Sequence, residues 1–192
     1  MTESQTKSRL LDAAERLCQT RGFNGFSFRD LAEVVGIRSA SIHYHFPTKG
    51  DLGRALVMRY RQRMEAALDE IARRESSSAG RVKRLVNLLR ELLRDQNRMC
   101  LCGILAAEAG SIAPEVTLEV RRFFEECEHW LSGVMREGRQ QGELSFSGSP
   151  GLAARAFFAA LEGAMISARA FGEERRLTDS ADWVLTQLVA PA

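Results

Sequence analysis

At 192 residues, with 45% hydrophobic and 27% charged side chains, the chain can bury a sizeable core and is too apolar to be disordered. Its net charge of +2 hides an asymmetry: residues 1–63 carry 11 Lys/Arg against 6 Asp/Glu, and residues 64–192 carry 16 against 19. The polar opening MTESQTKSRLL lacks the apolar stretch of a secretory signal, no apolar run approaches the roughly 20 residues that span a bilayer, and four cysteines make no disulfide framework in a chain of this size. A cytoplasmic protein with reduced thiols and no membrane contact is expected, its basic N-terminal segment suited to a nucleic acid.

The periodicity predicts an all-α protein of about nine helices, with no alternating strand pattern and no internal repeat. A first helix is expected from about Thr6 to Thr20, burying Leu10, Ala13, Ala14, Leu17 and Cys18 and leaving Lys7, Arg9, Glu15 and Arg16 in water. Gly22 ends it, and Phe23 and Phe26 are placed to plug the base of the head. Ser27 with Asp30 three residues on forms a capping-box pattern. Leu31, Ala32, Val34 and Val35 follow at helical spacing, and Gly36 suits the left-handed position after a helix. The chain restarts at Ser39 or Ala40 and is stopped by Pro47 after Phe46. Two short helices so punctuated have the form of a helix-turn-helix, whose second helix enters the major groove.

Thr48 with Asp51 caps a fourth helix, on which Leu52, Leu56, Tyr60, Met64, Ala67 and Ile71 keep one face apolar. Its Arg59, Arg61 and Arg63 read as a solvated face. Ser76 to Gly80 reads as a flexible connector. An amphipathic helix from Val82 to Leu93 follows, then a polar break over Arg94 to Arg98, then an apolar stretch from Met99 to Glu108 that should be a buried central helix. Pro114 opens a long helix reaching about Gln141, closed by Gly142. Ser149-Pro150 is a cap followed by a first-turn proline, starting a helix that runs from Leu152 to Phe171 and is rich in small residues. A last helix is expected from about Thr178 to Val189.

The stretch LAEVVGIRSASIHYHFPTKGDL resembles the tetracycline-repressor (TetR) family in its Leu-Ala-x-x-x-Gly-Ile, in the short helix ending in aromatics, and in Lys49 and Leu52 beyond. The resemblance extends upstream through LLDAAERL and RGFNGFSFRD and covers roughly Arg9 to Leu56. It implies a DNA-binding head and a helical body that takes a small molecule and loses DNA affinity when it is bound. Residues 1–50 are expected to form the DNA-binding domain and residues 51–192 the effector-binding and dimerisation domain.

Ile42 and Phe46, four apart, should face the core, which leaves Ser39, Ala40, Ser41, His43 and Tyr44 to meet DNA. Ser39 and Ser41 can bond bases or phosphates, and Ala40 can touch a thymine methyl. His43 occupies the position where similar repressors present an aromatic side chain, commonly tyrosine. His45 divides between the flanking backbone and packing. Arg38 can fork onto guanine or clamp a phosphate. Ser27 and Arg29 look like backbone contacts, and Lys49 matches the family's lysine at a helix start, where a phosphate would be attracted.

Specific binding calls for a homodimer on a palindromic double-stranded operator, half-sites roughly 34–36 Å apart. The last two helices, with Phe157, Phe158, Leu161 and Trp183, are the expected interface. Pocket walls are expected from Met99, Cys102, Phe123, Phe124, Cys127, Trp130, Met135 and Phe158, with Arg121, His129 and Glu162 as polar groups. Cys100 and Cys102 raise an alternative, a repressor sensing oxidants or electrophiles, which requires an exposed thiol of lowered pKa. Three histidines without a nucleophile to serve, and no phosphate-binding loop, argue against an enzyme. No metal or cofactor is expected, since side chains two apart on a helix diverge.

Overall fold

A computed structural model describes residues 2–188. Among them the chain forms nine α-helices: α1 (Glu3–Arg21), α2 (Phe28–Val35), α3 (Ser39–His45), α4 (Lys49–Arg74), α5 (Ser78–Arg94), α6 (Leu101–Ala107), α7 (Pro114–Gln140), α8 (Pro150–Phe171) and α9 (Arg175–Thr186). The all-α expectation holds. Val189, the expected end of the last helix, lies outside the described residues.

Most boundaries follow from side-chain caps. Ser27 accepts from the Asp30 amide while Asp30 accepts from Ser27, a reciprocal pair that satisfies two orphan N–H groups at the start of α2. Those bonds to Ser27 are the main cause holding the Asp30 carboxyl below its ordinary value. Thr48 and Asp51 repeat the arrangement at α4. Gly36 takes φ +74°, the left-handed conformation that ends α2 without a Cβ penalty. Ser149 and Pro150 start α8 as their spacing predicts.

Two boundaries differ from expectation for the same reason. Thr2 and Gln5 form a capping box, so α1 begins three residues early. Ser77 accepts from the Gly80 amide, so α5 absorbs Ser78, Ala79 and Gly80 instead of leaving them as a connector. Between α5 and α6, Gln96 and Asn97 both adopt positive φ, at 59° and 57°, where the polar break was expected.

The helices pack as two compact units, interleaved along the chain. One comprises the chain up to Gln62 together with Leu101–Phe123; the other comprises Arg63–Cys100 and the chain from Phe124 onward. In the first, α1 packs on α2 and α6, and α2 on α3. Leu10, Cys18, Phe23, Leu31, Ile42, Leu56, Leu101, Val116 and Phe123 fill its core. Phe23 and Phe26 meet edge to face at 5.9 Å, as the plug the sequence suggests. At Gly53 the backbone approaches so closely that a Cβ would stand 2.8 Å from the Phe23 ring and 2.9 Å from Val116.

Several polar expectations are corrected here. Glu15 is buried, paired at 3.1 Å with Arg59, which also binds Asp12 at 2.7 Å. Arg61 pairs with the buried Glu119, which holds Arg122 at 2.8 Å as well. Arg59 and Arg61 are therefore structural cations and not a solvated face. Val34 is exposed although it lies on the apparent stripe, and Ala106 and Ala107 on α6 are exposed although a fully buried helix was expected.

In the second unit α8 packs on α9, and α5 packs on both. Ala154, Phe157, Phe158, Leu161, Met165 and Ala168 line the buried side of α8. Phe157, Phe158 and Leu161 are thus core and not interface. The opposite side carries Leu152, Ala156, Ala159, Gly163 and Ile166, which recur at intervals of three and four and all lie exposed. Leu152 and Ile166 are 57% and 61% exposed, and Phe171 and Trp183 are 63% and 66% exposed. By length and composition alone α8 would pass for a membrane span, but Arg155 and Glu162 interrupt its apolar run and 44% of its apolar window is buried within the protein.

Gly53→Val should destabilise the protein by about 1–3 kcal/mol through overpacking against Phe23 and Val116, read as a lowered midpoint in denaturant unfolding; unchanged stability would mean that this close approach has room to relax.

Candidate nucleic-acid interface

Amphipathic necessity positions α3. Ile42 is fully buried and Phe46 nearly so, which anchors one side of a seven-residue helix and turns the other outward. Arg38, Ala40, Ser41, His43 and Tyr44 are exposed and Ser39 is half-buried; Tyr44 is 74% exposed. So large an exposed aromatic, isolated from the core, is the notable feature of the surface.

His43 does not hang free. Its ring meets Phe28 edge to face at 4.9 Å, and its Nδ1 lies 3.2 Å from the Pro47 carbonyl. A carbonyl only accepts, so Nδ1 carries the proton in this contact. In the neutral ring Nε2 is then the acceptor, and on protonation it becomes a donor. His45 leans on Tyr44 at 5.3 Å and is half-buried. With Ile37, Ser41, Tyr44, Glu3 and Thr6 it lines a groove between the start of α1 and α3.

Flanking residues divide into presented and engaged. Arg38 occupies the N-cap position of α3 and makes no side-chain cap. Ser27 and Arg29 sit at the start of α2, where Arg29 is 86% exposed and paired at 3.3 Å with Glu33 on the same helix face. Such an exposed pair contributes little to stability and yields readily to a phosphate.

Lys49 is placed differently from a solvent-facing phosphate ligand. Its ammonium donates to the Phe26 carbonyl at 2.5 Å and lies over the rings of Phe23 and Phe26, 4.9 and 4.8 Å from their centroids. Partial burial lowers its pKa, and the nearby charge of Glu108 opposes the shift. Arg9 plays a similar part, donating to the Val35 carbonyl at the end of α2 at 3.1 Å.

Glu108, just past α6, holds the loop before α2. Its carboxylate accepts from the amides of Phe23 and Asn24, each at 2.9 Å, and from the Asn24 side chain at 2.6 Å. Gly22 at φ +86° makes room for it; a Cβ there would stand 2.5 Å from Glu108 Oε1. Sequence reading missed this role, for nothing in a glutamate at the end of an apolar run signals a contact 85 residues away.

The residues expected to wall a pocket divide between the units. Cys102 and Phe123 belong to the first, where Phe123 packs on Tyr60 at 5.5 Å; Met99, Phe124, Cys127, Trp130, Met135 and Phe158 belong to the second. Arg121 and His129 are exposed, so neither lines an interior. Cys100 and Cys102 are both fully buried, which removes the exposed thiol that electrophile sensing requires.

Residues 10–56 match the family described as bacterial regulatory proteins, tetR family, and residues 78–183 match a tetracyclin repressor-like C-terminal domain. A TetR-family transcriptional regulator from Agrobacterium tumefaciens is 34% identical, with 98% of this chain and all of that one covered and a TM-score of 0.95. One from Legionella pneumophila is 32% identical over 98% of this chain and all of that one, at a TM-score of 0.88. The HTH-type transcriptional repressor NemR of Escherichia coli is 24% identical over 100% of this chain and 98% of its own.

Lys49→Ala should lower stability by about 1–3 kcal/mol through the lost charge-assisted bond and ring contacts, while leaving the salt dependence of DNA binding unchanged; a flattened salt slope with intact stability would instead make Lys49 a phosphate ligand.

Proposed function

The chain belongs to the TetR family of bacterial regulatory proteins, DNA-binding transcriptional regulators and not enzymes, and from that membership we propose a homodimeric repressor released from a palindromic operator by a small-molecule effector. In this reading residues 1–50 read DNA, and residues 51–192 hold the effector and the dimer contact. The carrying observation is α3 itself, buried through Ile42 and Phe46 and exposed at Arg38, Ala40, Ser41, His43 and Tyr44. The repressor named among the relatives supports repression as the sense of the regulation.

Each contact has a role fitted to its placement. Arg38, Ser27, Arg29 and Tyr44 bind phosphates and fix the register; Ser39, Ala40, Ser41 and His43 meet base edges. His43 Nε2, the acceptor when the ring is neutral, suits the amino group of adenine or cytosine in the major groove. Lys49 acts from beneath, holding Phe26 and the start of α4 in place.

The exposed stripe Leu152, Ala156, Ala159, Gly163 and Ile166, with Trp183 on α9, supports the dimer. Its small residues admit close helix approach, and a two-fold axis sets the same stripe of both copies face to face. Effector release requires only that the ligand prefer a conformation with the wrong half-site spacing. α4 and α7 each run unbroken from one packing unit into the other, a covalent route for such coupling.

Arg38→Ala should weaken operator and random DNA alike and reduce the slope of log K against log salt by about 0.9; a sequence-selective loss with the slope intact would assign Arg38 to a base. Ile166→Glu should give a folded monomer with greatly weakened operator binding, read by sedimentation and DNA titration, because association would bury an unpaired charge in the apolar stripe. A dimer of unchanged affinity would place the interface elsewhere.

A further inference from the structure

The reading that the second unit takes a small-molecule effector leaves that molecule's chemistry open, and one half-buried side chain with a buried carboxylate oxygen, Glu162, narrows it. Glu162 lies four residues after Phe158 on α8, so the two share a helix face. On α7, Phe124 and Cys127 are likewise three apart and share a face. The two faces meet: the Phe124 and Phe158 rings pack edge to face with centroids 5.7 Å apart. Burial, with the Glu162 charge second, pushes the Cys127 thiol up to about 12. The Cys100 thiol hydrogen-bonds the Glu162 carboxyl.

Glu162 Oε1 is shut off from solvent and has no hydrogen-bond partner. Burial raises the carboxyl above its ordinary value, and Cys100 offsets part of that. A core position needing only volume is better served by leucine or methionine, because an unmet buried acceptor costs stability. Oε1 is thus left without a donor on a carboxyl that lies by the Cys100 and Cys127 thiols and shares a helix face with Phe158, which matches the few polar groups that orient a ligand in an otherwise apolar site.

We propose that Glu162 is the polar anchor of an effector site between α7 and α8, and that the effector is an aromatic or otherwise apolar compound carrying an ammonium or a comparably strong hydrogen-bond donor. The donor bonds Oε1, and the faces of Phe124 and Phe158 add a cation–π contact. A neutral amine takes the Glu162 proton and becomes the paired ammonium; an arriving ammonium displaces that proton to solvent. An anionic effector gains no such ion pair: it either leaves the carboxyl protonated or meets a like charge, so it binds less tightly. The assignment rests on the effector reading above, but DNA binding as such does not depend on it.

The test uses the full chain without DNA and three probes of one carbon skeleton, naphthylmethylamine, naphthalenemethanol and naphthoic acid, titrated by calorimetry. The amine should bind the wild type at least about tenfold more tightly than the acid, and Glu162→Gln should abolish that preference. Ligand-free Glu162→Gln and Glu162→Leu should melt no lower than the wild type. The wild type should also lose ground to Glu162→Gln as pH rises above the ordinary carboxylate range, since a raised folded-state pKa favours folding in the protonated form. Equal or tighter binding of the acid, a preference that survives Glu162→Gln, no binding of any probe, or a lowered melting point in both variants would each overturn the assignment. Operator affinity is measured separately on the same proteins. A bound amine that leaves it unchanged overturns release by effector and not the site.

Discussion

The head is held by a carboxylate that it does not contain. Glu108 accepts two backbone amides and a side-chain amide from the loop between α1 and α2, and its charge also acts on Lys49. Of these the Phe23 amide is part-buried and would otherwise lose its partner, whereas the exposed Asn24 groups could turn to water. Lys49 in turn holds the Phe26 carbonyl, Arg9 holds the end of α2, and the capping box at Ser27 starts α2. The aim of α3 depends on this chain of polar locks as much as on the burial of Ile42 and Phe46.

Both packing units combine an apolar core with half-buried ion pairs. In the first these join Arg59 to Asp12 and Glu15, and Arg61 to Glu119. Such pairs add geometry more than net stability, since desolvation offsets most of the attraction. Two of the N-terminal segment's arginines are therefore internal scaffolding, and two of its carboxylates are taken up with them, so the pairing leaves its basic surplus in place. The second unit packs apolar side chains around α8 and carries half-buried pairs of its own, Arg81 to Glu137 and Arg98 to Asp95, with one apolar stripe outside and one unmatched carboxylate oxygen within.

What was legible in the sequence was local. Capping residues, glycines and helical periodicity located nine helices because each signal acts within four residues of itself. The exposed side of α3 followed from two apolar residues one turn apart. What escaped was long-range pairing. Lys49 sits at the start of a helix, where a phosphate role is the natural local reading, yet aromatic rings 23 and 26 residues upstream claim its charge. Glu15 and Arg59 each look solvated alone, yet in their pair Glu15 is buried and Arg59 half-buried. Phe157 and Leu161 read as a surface stripe because an apolar helix does not announce which side faces inward.

The interleaving of the units also sets an order of events during synthesis. Val116, Phe123 and Glu108 belong to the same unit as the head, so its core cannot close when Gln62 has been made. It must wait for roughly 60 further residues, about 3–12 s at bacterial elongation rates of ~5–20 residues per second. In that interval the nascent helix-turn-helix has its caps but lacks its floor, and Phe23 and Phe26 are without their full cover. The segment that reads DNA is the first to emerge but is not completed until Phe123 has been made, so a half-made chain carries the DNA-reading sequence without the packing that aims it.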